Sequence, residues 1–176
     1  MLAWKFLPFI SSLGAASIAK RSIETDITIY VYGVGINGLA VSADSDSNAV
    51  MADNITASTY GLRNVTWTID STGSLPWNVT ITNSSVDATG QFYILPSKNE
   101  GVGFATSPPT DAATAGFVVY GRTVQYATET TYESMFYAKN SSTGIWSLMW
   151  CSDLDDSDDG VPVVLKTIAP TPPTLT

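Results

Sequence analysis

Residues 63–70 read RNVTWTID, and residues 76–83 read PWNVTITN. Apolar and polar residues alternate over 64–70 and 77–82, and the apolar positions are Val65, Trp67, Ile69, Trp77, Val79 and Ile81. Because successive side chains of a strand point to opposite faces, this period of two predicts two strands that each bury one face. The turn-rich STGSLP between them predicts an antiparallel hairpin, with both tryptophans in the core and an Asn/Thr face toward solvent.

Similar runs recur along the rest of the chain. They lie at 25–36, 38–43, 91–95, 116–127, 132–138, 144–150 and 161–168. Gly, Asn, Asp, Ser and Pro separate them, and helical patterns are nearly missing. We therefore predict an all-β fold, an antiparallel β-sandwich or barrel of about nine or ten short strands. Besides the hairpin residues, the predicted core includes Ile27, Ile29, Val31, Trp146 and Trp150.

The first 21 residues have the pattern of a secretory leader. Residues 1–5 carry one positive charge, residues 6–19 read FLPFISSLGAASIA, and Lys20 and Arg21 follow. This apolar run is shorter than the roughly 20 residues that a bilayer-spanning helix needs. We predict a signal peptide at 1–19, a dibasic processing site at 20–21, a single β-domain at 22–168 and a disordered Pro/Thr tail at 169–176. The mature protein is then extracellular or associated with the cell wall, and not inserted in a membrane.

Charge and composition limit the partners. After the predicted leader, five scattered basic residues face sixteen acidic ones, for a net charge of −11. Nucleic acid and anionic membranes both need clustered Lys or Arg, so the sequence predicts neither as a partner. Cys151 is the single cysteine and cannot close an internal disulfide, and we expect a buried, inert thiol; an intermolecular bridge or a reactive nucleophile is the alternative.

Five asparagines lie in Asn-x-Ser/Thr sequons and are glycosylation candidates in a secreted chain. They are Asn54, Asn64, Asn78, Asn83 and Asn140. Asn64 and Asn78 fall on the polar face of the predicted hairpin, which agrees with an accessible position.

Two acidic clusters are candidate cation sites. The segment CSDLDDSDDG (151–160) fits the start of a calcium loop at Asp155, Ser157, Asp159 and Gly160, but Lys166 stands where a bidentate Glu is required. A second cluster, Asp44, Asp46 and Asn48, lacks the turn glycine. Solvated loops explain both clusters better, with cation binding as the alternative, and we predict no metal or cofactor.

Catalytic signatures are weak. The chain has no histidine, so it cannot build a Ser-His-Asp or Cys-His nucleophilic site. A glycosidase needs only two carboxylates, and Glu129 and Glu133 share strand parity, yet surface positions explain these residues more simply. Tyrosines on the second face of 25–36 and in 115–127 are the better candidates for a carbohydrate-stacking platform, because tyrosine tolerates a wet edge.

The chain resembles small secreted β-rich proteins of filamentous fungi in its dibasic leader and in the segments TIYVYG, GQFYILPS, GFVVYGRTVQY, FYAKNSSTGIWSLMW and GVPVVLKTIAP. The resemblance spans the chain after the leader and implies a secreted fungal context, processing by a kexin-type protease, and no mechanism. The leading hypothesis is a non-enzymatic domain that acts at the cell wall or host surface and binds an extended neutral or weakly cationic polysaccharide. A small carboxylate-dependent glycoside hydrolase and an effector-like domain that binds an extracellular protein are the alternatives.

Overall fold

A computed structural model describes residues 23–82, 87–141, 143–151 and 160–171. These residues form sixteen strands and one short helix. In chain order they are β1 Ile23–Ile27, β2 Tyr30–Gly33, β3 Ile36–Ala40, β4 Ser42–Ala43, β5 Ala49–Met51, α1 Asn54–Thr59, β6 Arg63–Asp70, β7 Asn78–Thr82, β8 Ala88–Tyr93, β9 Glu100–Gly101, β10 Gly103–Ala105, β11 Phe117–Tyr120, β12 Thr123–Ala127, β13 Tyr132–Glu133, β14 Phe136–Asn140, β15 Trp146–Trp150 and β16 Gly160–Lys166.

The strands join into one unclosed antiparallel sheet. Its main path runs β10-β8-β7-β6-β4-β5-β15-β14-β16-β12-β11. Off this path, β1 pairs with β6, β13 with β12, β9 with β15, and β2 lies between β16 and β3. The prediction of an all-β antiparallel fold is confirmed, with sixteen strands in place of about nine or ten.

Part of the higher strand count has a local cause, because two runs predicted as single strands contain hairpin turns. Three further strands, β5, β9 and β10, lie outside every predicted run. Within 25–36 the chain turns before β3 at Gly35, whose φ of 77° favours glycine. Within 116–127 it turns at Gly121 and Arg122, with φ of 55° and 75°, between β11 and β12. Two consecutive residues of positive φ are typical of the tight two-residue turn that matches strand twist.

The central hairpin forms as predicted. β6 and β7 pair antiparallel, with Val65 opposite Ile81, Trp67 opposite Val79, and Thr66 opposite Thr80. Cross-strand partners share a face, so the apolar residues point inward together and the threonines point outward together.

A single apolar core joins the inner sides of the sheet. Nine of the eleven predicted core residues are buried: Ile29, Val31, Val65, Trp67, Ile69, Trp77, Val79, Ile81 and Trp150. Ile27 and Trp146 are partly buried and pack against this core. Cys151 is buried, which agrees with the expectation of a buried side chain.

The six-residue helix α1 was not predicted, because its sequence NITAST has no apolar stripe. None of its residues is buried. Asp53 caps it by accepting hydrogen bonds from the backbone N–H groups of Ile55 and Thr56. The described part of the chain contains no helix with the length and apolar content that crossing a membrane requires.

Candidate functional site

Four residues form a continuous row across β11, β12, β16 and β2. Tyr120 is the register partner of Thr123, Thr123 of Lys166, and Lys166 of Tyr30. Directly paired residues project from the same face of a sheet, so these four side chains lie side by side. We call them the tyrosine row.

The row faces outward. Chain neighbours of its members, Val124, Leu165 and Val31, are fully buried, and side chains alternate across a strand. Tyr120 is 75% exposed, and the other three members are partly exposed. Three strand spacings, about 14 Å along the sheet, separate its two tyrosines.

Tyr32 lies beside the row on the same face of β2 but is engaged within the protein. Its hydroxyl donates a hydrogen bond to the Ile168 carbonyl at 2.8 Å. The Lys166 Nζ lies 5.1 Å from the centre of its ring, a cation–π distance. Tyr32 therefore holds the chain after β16 in place and positions Lys166 within the row.

The tyrosines of β12, β13 and β14 divide between core and surface. Tyr126 on β12 points inward and packs edge-on against Trp150, with ring centres 5.7 Å apart. Tyr137 is buried, whereas Tyr132 on β13 is exposed. Of the tyrosines predicted as a platform, Tyr30, Tyr32 and Tyr120 therefore face outward and Tyr126 does not.

A depression of about 500 Å³ lies at the Tyr30 end of the row. Its lining includes Tyr30, Ala40, Asp53, Asn54, Asn64 and Pro170. Ala40 is the register partner of Tyr30 on β3, so the depression continues the line of the row. We call it the Asn64 depression.

Pro170 forms one wall of the Asn64 depression, although its sequence placed it in the Pro/Thr tail. It lies so close to Gly38 that a Cβ on that glycine would approach the proline Cβ to 2.7 Å. Gly38 also has a φ of 72°. Glycine is thus required there both for backbone conformation and for close approach. Residues 172–176 of the predicted tail lie outside the described residues.

Asp53 supplies a carboxylate to the same depression. Its Oδ2 accepts a hydrogen bond from the Thr56 hydroxyl at 2.8 Å, besides the two backbone bonds that cap α1. The backbone and side-chain hydrogen bonds from Thr56 lower the pKa of Asp53 below its usual value. The carboxylate therefore stays charged in mildly acidic media, although much of its accepting capacity is used by the helix.

Four of the five sequon asparagines lie in the described residues, and all four are exposed: Asn54, Asn64, Asn78 and Asn140. Asn83 lies outside them, as do Lys20 and Arg21 of the predicted processing site. Asn78 borders a second depression, of about 370 Å³, on the outer face of β6, β7 and β8. Its lining is mostly hydroxyl and amide: Thr68, Thr80, Thr89, Gln91 and Thr106.

The acidic cluster of Asp44, Asp46 and Asn48 closes its own turn. Asp44 Oδ1 accepts the backbone N–H groups of Asp46 at 2.9 Å and Asn48 at 2.8 Å. Arg63 Nη2 donates to the Asp44 carbonyl, which ties the turn to β6. Of the other acidic cluster, 151–160, residues 152–159 lie outside the described residues. Within the ranges that the structure describes, no group of three or more Asp, Glu, Cys or His side chains is placed to hold a metal ion.

The glutamates occupy separate elements. Glu24 is on β1 and Glu100 on β9. Glu129 is exposed between β12 and β13, and Glu133 on β13 accepts a hydrogen bond from the Thr131 hydroxyl at 3.3 Å. Neither Glu129 nor Glu133 lines the Asn64 depression or the second depression.

Comparisons with protein families, with curated proteins and with solved structures found no match for this chain.

Proposed function

We propose that this chain is a secreted β-domain of the fungal type that its sequence resembles, and that it binds an extended neutral polysaccharide without cleaving it. The observation that carries the proposal is the tyrosine row, in which two outward tyrosines flank a hydroxyl and an ammonium group on one sheet face. Its natural setting is the cell wall or a host surface.

The chemistry of the row suits sugars. A tyrosine ring offers an apolar face on which the C–H groups of a pyranose stack, and its hydroxyl stays in water. Thr123 and Lys166, between the rings, offer hydrogen-bond partners for sugar hydroxyls. The Asn64 depression extends this line with amide groups and the Asp53 carboxylate. A flat face of this kind holds a chain of sugar rings better than it encloses a small molecule.

The charge of the protein supports a neutral or weakly cationic polymer. The full chain carries a net charge of −8, so a polyanion would be repelled on approach. Within the row, the positive charge of Lys166 offsets part of the protein's negative charge, which disfavours a densely cationic polymer.

We further propose that the sheet folds over its core as a β-sandwich or barrel. The inner residues Val31 and Leu165 beneath the tyrosine row belong to the same core cluster as Trp67 of the central hairpin. An isolated bridge between Asn48 and Gly103 also ties β10 to the turn before β5.

For the leader, we propose removal after Lys20-Arg21. N-terminal sequencing of the secreted protein tests this, and a first residue other than Ser22 contradicts it.

Incubation of the protein, produced without N-glycans, with chitin, β-glucan and mannan particles tests the binding proposal. We expect retention on at least one polymer, and we expect Tyr30→Ala or Tyr120→Ala to weaken it about fivefold, equivalent to about 1 kcal/mol of lost stacking. Tyr60→Ala is the matched control, because Tyr60 is 52% exposed at the end of α1 and outside the row. We expect its affinity to equal that of the wild type.

The same incubation separates the alternatives. Reducing ends released by the wild type but not by Glu129→Gln or Glu133→Gln would identify a hydrolase. Retention that survives loss of both row tyrosines would place the polysaccharide site elsewhere. If the protein shows no retention and no release of reducing ends, carbohydrate binding is contradicted, and an extracellular protein remains as the partner.

A further inference from the structure

Asn64 is a predicted glycosylation site that lies at the proposed binding surface. It is exposed on β6 and begins the sequon Asn64-Val65-Thr66. Its side chain lines the depression that Tyr30 also lines. Asn54, another sequon asparagine, borders the same space.

We infer that an N-linked glycan on Asn64 covers this depression and Tyr30, so that glycosylation limits access to one end of the tyrosine row. The functional consequence rests on the proposed function, whereas the covering itself does not. The first sugars of the protein's own glycan then occupy the depression.

Space and chemistry support this occupant. A volume of about 500 Å³ falls within the range of pockets that hold small ligands. Tyr30 offers a partly exposed ring for stacking, and Asp53 is a fixed acceptor close to the attachment point. A sugar attached covalently at Asn64 is held at a high effective concentration over these groups, so that even weak contacts suffice.

Asn78 provides a contrast within the same hairpin. It is exposed and begins the sequon Asn78-Val79-Thr80, and it lines the second depression. The lining of that depression contains no aromatic residue. A glycan on Asn78 therefore lacks the stacking partner that Tyr30 provides at Asn64, and it does not border the tyrosine row.

The test compares Thr66→Ala with Thr80→Ala in full chains secreted from a glycosylating fungal host. Each change removes one sequon and leaves its asparagine in place, and the two threonines are direct partners across the β6–β7 ladder. Thr66→Ser keeps the sequon and controls for the altered side chain. Glycopeptide mass spectrometry measures occupancy, and the rate of Tyr30 nitration by tetranitromethane measures access to the ring.

We expect Asn64 to be occupied in the wild type and Tyr30 to be nitrated several-fold faster in Thr66→Ala. Thr80→Ala and Thr66→Ser should match the wild type. An unmodified Asn64, or equal Tyr30 rates in wild type and Thr66→Ala, overturns the inference. Nitration needs no polymer, so faster nitration without any polysaccharide binding supports the covering and contradicts the proposed function instead.

Discussion

Trp67 and Trp77 are the two largest side chains that the central hairpin contributes to the core, and they differ in one hydrogen bond. Both are fully buried, with ring centres 6.4 Å apart and planes nearly perpendicular. The Trp77 indole N–H donates to the Asp70 carbonyl at 3.0 Å. In the part of the chain that the structure describes, the Trp67 indole N–H has no acceptor.

This difference predicts unequal effects of the same substitution. Trp67→Ala should cost about 3 to 5 kcal/mol, as expected for a large cavity. Trp67→Phe and Trp77→Phe remove similar volume, but only the second loses a hydrogen bond, so it should destabilise by about 1 kcal/mol more. Urea titration measures both free energies of unfolding. Equal losses of stability for Trp67→Phe and Trp77→Phe would contradict the difference in hydrogen bonding. A loss for Trp67→Ala below about 0.5 kcal/mol would contradict the assignment of Trp67 to the core.

The segment after β16 is held by the contact of Pro170 with Gly38 on β3, and substitutions at two glycines test this contact. Gly38 and Gly61 both have positive φ, 72° and 63°. A Cβ at Gly38 would collide with Pro170, whereas a Cβ at Gly61 would meet nothing within 4 Å. Both substitutions to alanine carry the cost of positive φ, about 1 kcal/mol.

We therefore expect Gly38→Ala to be more destabilising than Gly61→Ala, because it also displaces the segment around Pro170. Displacement should speed proteolysis after β16, which mass spectrometry of limited digests detects. If the two variants show the same stability and the same digestion pattern, residues 169–171 do not pack on β3 as described.

The β6–β7 hairpin could be predicted from the sequence because its alternation is strict and each strand buries one face. The hairpins within 25–36 and 116–127 were not recognised, since their turns lie inside apolar runs and are marked only by Gly35 and Gly121. The outward position of Tyr30 could also be predicted, from the alternation within 25–36. Its alignment with Tyr120 could not be predicted, because the register between them passes through β16 and β12, which are distant in sequence and are brought together by tertiary pairing.

Over the whole molecule, one apolar core supports two outer faces of different chemistry. The face of β2, β16, β12 and β11 carries tyrosines with a lysine between them. The outer face of β6, β7 and β8 carries threonine, asparagine and glutamine. Both present hydrogen-bonding groups, and the second also carries the partly exposed Tyr93 beside Gln91 on β8. The first places two tyrosines in one row with hydrogen-bonding groups between them, which is why we assign polysaccharide binding to it.

Titration of the ¹⁵N-labelled protein, produced without N-glycans, with soluble β-glucan and chitin oligosaccharides measures directly which face binds. We expect backbone chemical-shift changes to concentrate at Tyr30, Thr123, Lys166 and Tyr120, and to disappear in a Tyr30→Ala/Tyr120→Ala double variant that keeps the wild-type spectrum elsewhere. Changes confined to Thr68, Thr80 and Gln91 on the other face, or the absence of changes at saturating oligosaccharide, would contradict the assignment of the tyrosine row as the binding site.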